Sequence, residues 1–158
     1  AYTDADTGTQ YAADTATAPN PALVGASTVR TTTAAIANTN DDSFFQSYRF
    51  GKDFGYNIAL PNGTYTVELD FIETFFTSAG QRRFDVQLEG QEVISNLDLF
   101  TAAGGINTAY IATRTVSVTD GQLNLRLESS GTDDLDNAIL SGFAVRPAEV
   151  LASQSVWQ

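Results

Sequence analysis

Between residues 65 and 71 the sequence alternates without a break: Tyr65, Val67, Leu69 and Phe71 are apolar, while Thr66, Glu68 and Asp70 are polar. A period of two suits a strand with one buried face and one wet face, because successive side chains point to opposite sides of the backbone. Phe84, Val86 and Leu88 repeat the pattern. Burying such a row contributes about 1.5–3 kcal/mol per side chain. Many short strands of this kind, set between turn signals and without helical periodicity, predict an all-β fold: an antiparallel β-sandwich of jelly-roll type with long N-terminal loops.

The turn signals divide the chain. From Ala1 to about Asn40 there is much Thr, Ala and Asp and little periodicity, so this part reads as loops wrapping a sandwich, with short strands near residues 10–13 and 27–32. Pro19-Asn20-Pro21 excludes regular structure. Residues 43–50 and 54–60 read as two strands with Gly51-Lys52-Asp53 as a short turn. Pro61-Asn62-Gly63 is expected to close a hairpin; Asn62-Gly63-Thr64 is also a glycosylation sequon, but the turn accounts for it. Glu89-Gly90 turns the chain into a strand at 93–97, and residues 102–105 form a glycine-bearing loop. Residues 110–118 and 123–127 are expected to form another hairpin around Asp120-Gly121, and 138–145 a final strand.

Composition narrows the function. The 158 residues suit one domain and contain no histidine, cysteine or methionine, so disulfides, thiol nucleophiles, imidazole bases and the usual zinc ligands are all excluded. A formal charge of -11 argues against nucleic acid and against anionic membranes. No apolar run approaches the roughly 20 residues that span a bilayer, so no membrane insertion is expected. The Thr-, Ala-, Asp- and Asn-rich, lysine-poor composition suits an extracellular or cell-surface protein.

The most informative stretch is 71–100, FIETFFTSAGQRRFDVQLEGQEVISNLDLF. The adjacent Phe75 and Phe76 cannot both enter the core from one strand, and the small polar residues after them read as a loop. One reading is an exposed apolar platform, the other a filled sandwich edge. Phe71, Glu73, Phe76, Arg83, Phe84, Asp85, Val86, Gly90, Val93, Asp98 and Phe100 stand at the spacing of the central motif of malectin-type carbohydrate-binding domains, which the stretch resembles. FQSYRFG at 45–51, DNAIL at 136–140, YTDAD at 2–6 and YAAD at 11–14 resemble further segments of that family in the same order.

The resemblance implies non-catalytic binding of an oligo- or polysaccharide, glucan-like, between aromatic rings and an aspartate. Carried over by position, the rings fall on Phe50, Phe75 and Phe76 and the aspartate on Asp136. Phe50 and Phe75 stand where the lectin has tyrosines, and its remaining tyrosine falls near Thr28, so phenolic groups are lost; Tyr11 and Tyr48 are candidate substitutes. Calcium is a possible cofactor, with Asp4, Asp6, Asp133 and Asp134 as candidate ligands, although Asp4-Ala5-Asp6-Thr7-Gly8 lacks the distal glutamate of an EF-hand loop. Glycoside hydrolysis needs two carboxylates about 5–9 Å apart across a cleft. Glu73 and Asp85 read instead as structural, paired with Arg82 or Arg83. Residues 1–146 are expected to be the sandwich and 147–158 an extension, an added strand or helix turn. The resemblance also implies a further strand ahead of Tyr2, which this sequence lacks, and the extension is a candidate to fill it or to self-associate through Trp157. The alternative function is a structural module that assembles by strand exchange into a filament, adhesin or surface layer.

Overall fold

The alternating rows meet face to face. In the computed structural model, which describes residues 2–3, 10–12 and 14–148, the strands are β1 (Tyr2–Thr3), β2 (Gln10–Tyr11), β3 (Leu23–Thr31), β4 (Ser47–Ala59), β5 (Gly63–Phe71), β6 (Phe84–Leu88), β7 (Gln91–Leu97), β8 (Tyr110–Val118), β9 (Gln122–Glu128), β10 (Ala138–Leu140) and β11 (Gly142–Pro147). Two short helices join them, α1 (Asp42–Phe45) and α2 (Leu99–Ala103). A six-stranded sheet runs β10-β4-β9-β6-β7 with β3 on the other edge of β4, and packs against a three-stranded sheet, β11-β5-β8. All strand pairs are antiparallel. This is the all-β sandwich that the alternation predicts.

Val67, Leu69 and Phe71 of β5 face Phe54, Phe84, Val86, Leu125 and Leu127 of the large sheet in one buried core. A second apolar cluster, Ile36, Phe45, Ile72 and Ala109, lies under the loops that leave β5 and precede β4 and β8. It fixes the root of the 72–83 loop.

Several local expectations are overturned, each for a physical reason. Gly51-Lys52-Asp53 is not a turn, because β4 runs unbroken from Ser47 to Ala59. Gly51 and Gly55 are there for close approach: a Cβ on Gly51 would stand 2.4 Å from the Ala26 carbonyl oxygen, and one on Gly55 1.9 Å from that of Leu125. Residues 42–45 form a helical turn capped by the Asp41 carboxylate, so the strand begins later than the sequence suggests. β3 is nine residues long, with a bulge between Ala26 and Thr28, where only 27–32 was expected.

Neither Asn62-Gly63 nor Asp120-Gly121 closes a hairpin. The strands flanking each turn lie in different sheets, so both turns are corners of the sandwich. Asn62 stitches the corners together: its Nδ2 donates to the Thr119 carbonyl at 3.0 Å, and its Oδ1 accepts the Gly121 N–H at 2.7 Å. The expected strand at 138–145 likewise changes sheet at Ser141, whose N–H donates to the Asp70 carbonyl at 2.8 Å. The expected 102–105 loop opens inside α2, which ends at Gly104 in the left-handed region (φ 84°). Only Glu89 (φ 52°) and Gly90 (φ 71°) form the tight hairpin turn expected of them.

The N-terminal segment is held by a carboxylate. Asp14 accepts from Arg49 Nε at 3.0 Å, from the Tyr56 hydroxyl and from the Asn20 N–H at 3.0 Å, tying residues 14–20 to β4. Burial raises the Asp14 pKa, but the bonds from Arg49, Tyr56 and Asn20 outweigh it, and the net value lies below the ordinary 3.8. The Tyr56 phenol is pushed well above its ordinary value by burial and by its bond to Asp14.

Two outcomes follow. Leu69→Ala, at a site with no exposure, should cost about 2–5 kcal/mol in urea unfolding, read as a lower midpoint at unchanged slope. A lowered carboxylate pKa gives stability that is complete above the unfolded value and lost as pH falls through the folded one. Wild-type stability should therefore decline below about pH 4, and Asp14→Asn should flatten that decline in acid-unfolding curves.

Candidate functional site

The loop that follows β5 is built around Glu73, whose side chain is completely buried. Its Oε1 accepts the backbone N–H groups of Phe75 at 2.9 Å and Phe76 at 3.1 Å, which sets both ring positions. Its Oε2 receives Arg82 Nε at 2.6 Å, and its main-chain oxygen receives the Asn107 N–H at 2.7 Å. The expected ion pair therefore forms, and with Arg82 rather than Arg83. Among the described residues Asp85 has no arginine within 4.0 Å; its Oδ1 accepts the Asn96 N–H at 2.7 Å.

Arg82 carries the contact outward. Nη1 reaches the Asn137 carbonyl at 2.5 Å and the Asp136 carboxylate at 2.8 Å, and the guanidinium lies 5.1 Å above the Phe76 ring. Phe75 stands edge-on to Phe76, with centroids 5.0 Å apart at 83°. Phe75 is 71% exposed and Phe76 half-buried. The far end of the loop is pinned by the Gly80 N–H on Asp98 Oδ2 at 2.7 Å, where the same carboxylate caps α2. Burial raises the Asp98 pKa, but the amides of Gly80, Thr101 and Phe100 and the Thr101 hydroxyl bring it below the ordinary value.

Asp136 is the opposite wall. It adopts φ 61°, and its carbonyl accepts from Lys52 and from the Ser129 hydroxyl, the latter at 2.6 Å. Its side chain keeps 37% of its surface in solvent, so one oxygen is held by Arg82 while the group as a whole can still meet a ligand. Phe75, Phe76 and Asp136 thus form one shelf with Arg82 beneath.

Phe50 is half-buried against the main core and, among the described residues, is linked to the shelf only through its strand neighbour Lys52. It pairs with Thr28 of β3 and Ile139 of β10, and Lys52, two residues along β4 on the same face, is the residue that reaches Asp136. The guanidinium of Arg30 lies 4.9 Å over the Phe50 ring, so one face of that ring is covered. Tyr48 is linked to the loop, since Thr74 donates to its hydroxyl at 2.9 Å. Tyr11 lies apart. Its ring is 4.7 Å from Phe44, its hydroxyl contacts Glu68 at 3.5 Å, and it lines a cleft of about 690 Å³ with Phe44, Arg49, Tyr56 and Phe143. Tyr48 touches that cleft too, but none of Phe50, Phe75, Phe76 or Asp136 does.

Arg30 and Lys52 are the residues that motif matching passes over, although two cations flanking a strand aromatic in so acidic a chain are a signal in themselves. For calcium, Asp4 and Asp6 lie outside the described residues, as does Trp157 for self-association. Asp134 is used locally, accepting the Gly131 N–H at 2.8 Å, and among the described residues no three His, Cys, Asp or Glu side chains converge as a metal site requires. No helix among them is long and apolar enough to cross a membrane.

This geometry has relatives. Malectin-B of Xenopus laevis is 31% identical over 114 residues, covering 70% of this chain and 41% of that protein. Human Malectin is 32% identical over 96 residues, covering 60% of this chain and 32% of its own length. The chain thus spans well under half of the relatives it matches. Among solved structures, a Bacteroides uniformis beta-glucuronidase superposes with a TM-score of 0.76 at 20% identity, over 94% of this chain and 17% of that one. The ANXUR1 extracellular domain from Arabidopsis thaliana superposes at 0.69 with 12% identity, over 79% of this chain and 40% of that one. At such identities these two establish the fold alone. The Malectin domain model, however, matches residues 1–143, and the chain belongs to the malectin domain family.

Proposed function

We propose that the domain binds carbohydrate without transforming it, through the shelf of Phe75, Phe76 and Asp136, with Phe50 linked to it through Lys52. The observation that carries this is an exposed aromatic ring fixed beside a partly exposed carboxylate by buried bonds. The C–H face of a pyranose stacks on such a ring, and a carboxylate accepts sugar hydroxyls without rearranging. Because Glu73 fixes the amides of both phenylalanines, the rings are in place before a ligand arrives, which lowers the ordering cost of binding. Family membership and the Xenopus and human malectins support the same class of ligand, and we extend it to oligo- or polysaccharides of glucan type.

A hydrolytic role has less support. Glu73 is buried and held by Arg82 and two amides, and the half-buried Asp85 accepts the Asn96 amide, which favours structural roles for both. We assign residues 1–146 to the binding domain and 147–158 to an extension. An extracellular or cell-surface location is consistent with the composition and with the ectodomain among its structural neighbours.

Isothermal titration with gluco-oligosaccharides tests the reading. A single site of this size should bind with a Kd from about micromolar to millimolar. Phe75→Ala, at an exposed position, should weaken binding about two- to tenfold with little change in melting temperature. Unaltered affinity would remove the shelf from the site. Arg82→Ala should instead destabilise the fold by about 3–5 kcal/mol, because it leaves Glu73 buried and uncompensated.

A further inference from the structure

We infer that the shelf is suited to an acidic saccharide, one bearing a carboxylate such as a uronic-acid residue, and that Arg30 and Lys52 recognise that group. The inference rests on the carbohydrate-binding reading above and specifies its ligand class.

The argument begins with where the cations go. The chain has 8 Lys and Arg against 19 Asp and Glu, so a basic side chain without an acidic partner is unexpected. Arg49 is paired with Asp14, Arg82 with Glu73 and Asp136, Arg126 with Asp53 and Glu128, and Arg146 with Glu68. Arg114 donates to the carbonyls of Val93 and Thr113. Arg83 also has no carboxylate within 4.0 Å among the described residues, but it is half-buried, with its Nε out of solvent beside the 129–136 loop. Arg30 and Lys52 are exposed, and among the described residues neither has a carboxylate within 4.0 Å. Both stand at Phe50.

Their geometry is more specific than their charge. The Arg30 guanidinium is held over the Phe50 ring at 4.9 Å. A guanidinium held on a ring can keep its N–H fork available, and that fork matches a carboxylate with two parallel bonds. Lys52 spends a donor on the Asp136 carbonyl and has others left. A carboxylate on the outer side of the Arg30 guanidinium, away from the ring it covers, would take that fork, and Lys52 stands two residues along the strand from Phe50 as the second cation. The nearby negative charges are largely committed elsewhere: Asp53 to Arg126, and Asp136 to Arg82. Among the described residues, Asp133 and Asp134 of the 129–136 loop are opposing charges with no basic partner within 4.0 Å. A neutral sugar gains little from such a pair of cations. With Phe50 and Phe75 lacking phenolic hydroxyls, the shelf also offers fewer partners for neutral hydroxyl groups.

The test is a matched pair of probes: a gluco-oligosaccharide, and the same oligosaccharide with its terminal C6 hydroxymethyl group oxidised to a carboxylate. Titration calorimetry at low ionic strength should show the oxidised probe binding about three- to tenfold more tightly, and the ratio should shrink toward one in about 0.5 M salt. In the Arg30→Gln/Lys52→Gln variant, checked for an unchanged circular-dichroism melt, the ratio should also fall toward one. Equal affinities of wild type for the two probes would overturn this inference and leave the carbohydrate reading standing. A preference that survives in the double variant would overturn the assignment to Arg30 and Lys52. If wild type binds neither probe, both readings fall.

Discussion

The site depends on one buried ion pair. Glu73 and Arg82 meet at 2.6 Å with both side chains almost wholly out of water. Removing two charges from solvent costs several kcal/mol per ion, which is recovered only when every remaining donor and acceptor is used. Here they are used on the backbone of the rings and on the loop across from them: two amides on the glutamate, the Asn137 carbonyl and the Asp136 carboxylate on the arginine. The cost of burial is thereby converted into position. A hydrophobic pair of the same volume would pack as well, but would not specify where Phe75 or Asp136 stands.

The rest of the sandwich carries this cross-link on a rigid frame. The 72–83 loop leaves β5 at Ile72, which is locked in the second apolar cluster, while Asp136 stands just ahead of β10, which pairs with β4, the strand of Phe50 and Lys52. The elements that meet at the shelf thus come from both sheets. Their relative position is fixed by the core between those sheets and by the corners at Asn62, Gly121 and Ser141.

What could be read from the chain follows from how local each cause is. Alternation in 65–71 and 84–88 is a local pattern with one meaning, and the sandwich was legible from it. The Glu73–Arg82 pair was nearly so, because both residues sit in one short loop. Turn chemistry was less so: Asn62-Gly63 and Asp120-Gly121 do mark reversals, but whether the flanking strands pair or part into separate sheets is decided by the core. Gly51 was opaque for a related reason, since only the approach of β3 reveals that its missing side chain makes room for a carbonyl rather than a turn. At the proposed site, the nearness of Phe75, Phe76 and Asp136 was legible because the motif keeps them at fixed spacing. Arg30 over Phe50 was not, because that contact crosses two strands whose register a bulge alters. Tyr11, a candidate from chemistry alone, lines the cleft with Phe44 and Phe143, which none of Phe75, Phe76 and Asp136 reaches.

The most direct test is residue-resolved. Amide chemical-shift mapping during titration with a gluco-oligosaccharide or its oxidised counterpart should show the perturbed residues gathering at 74–80 and 134–138, with a smaller set at 28–30 and 50–52. Perturbations confined instead to the cleft of Tyr11, Phe44 and Phe143 would contradict the account.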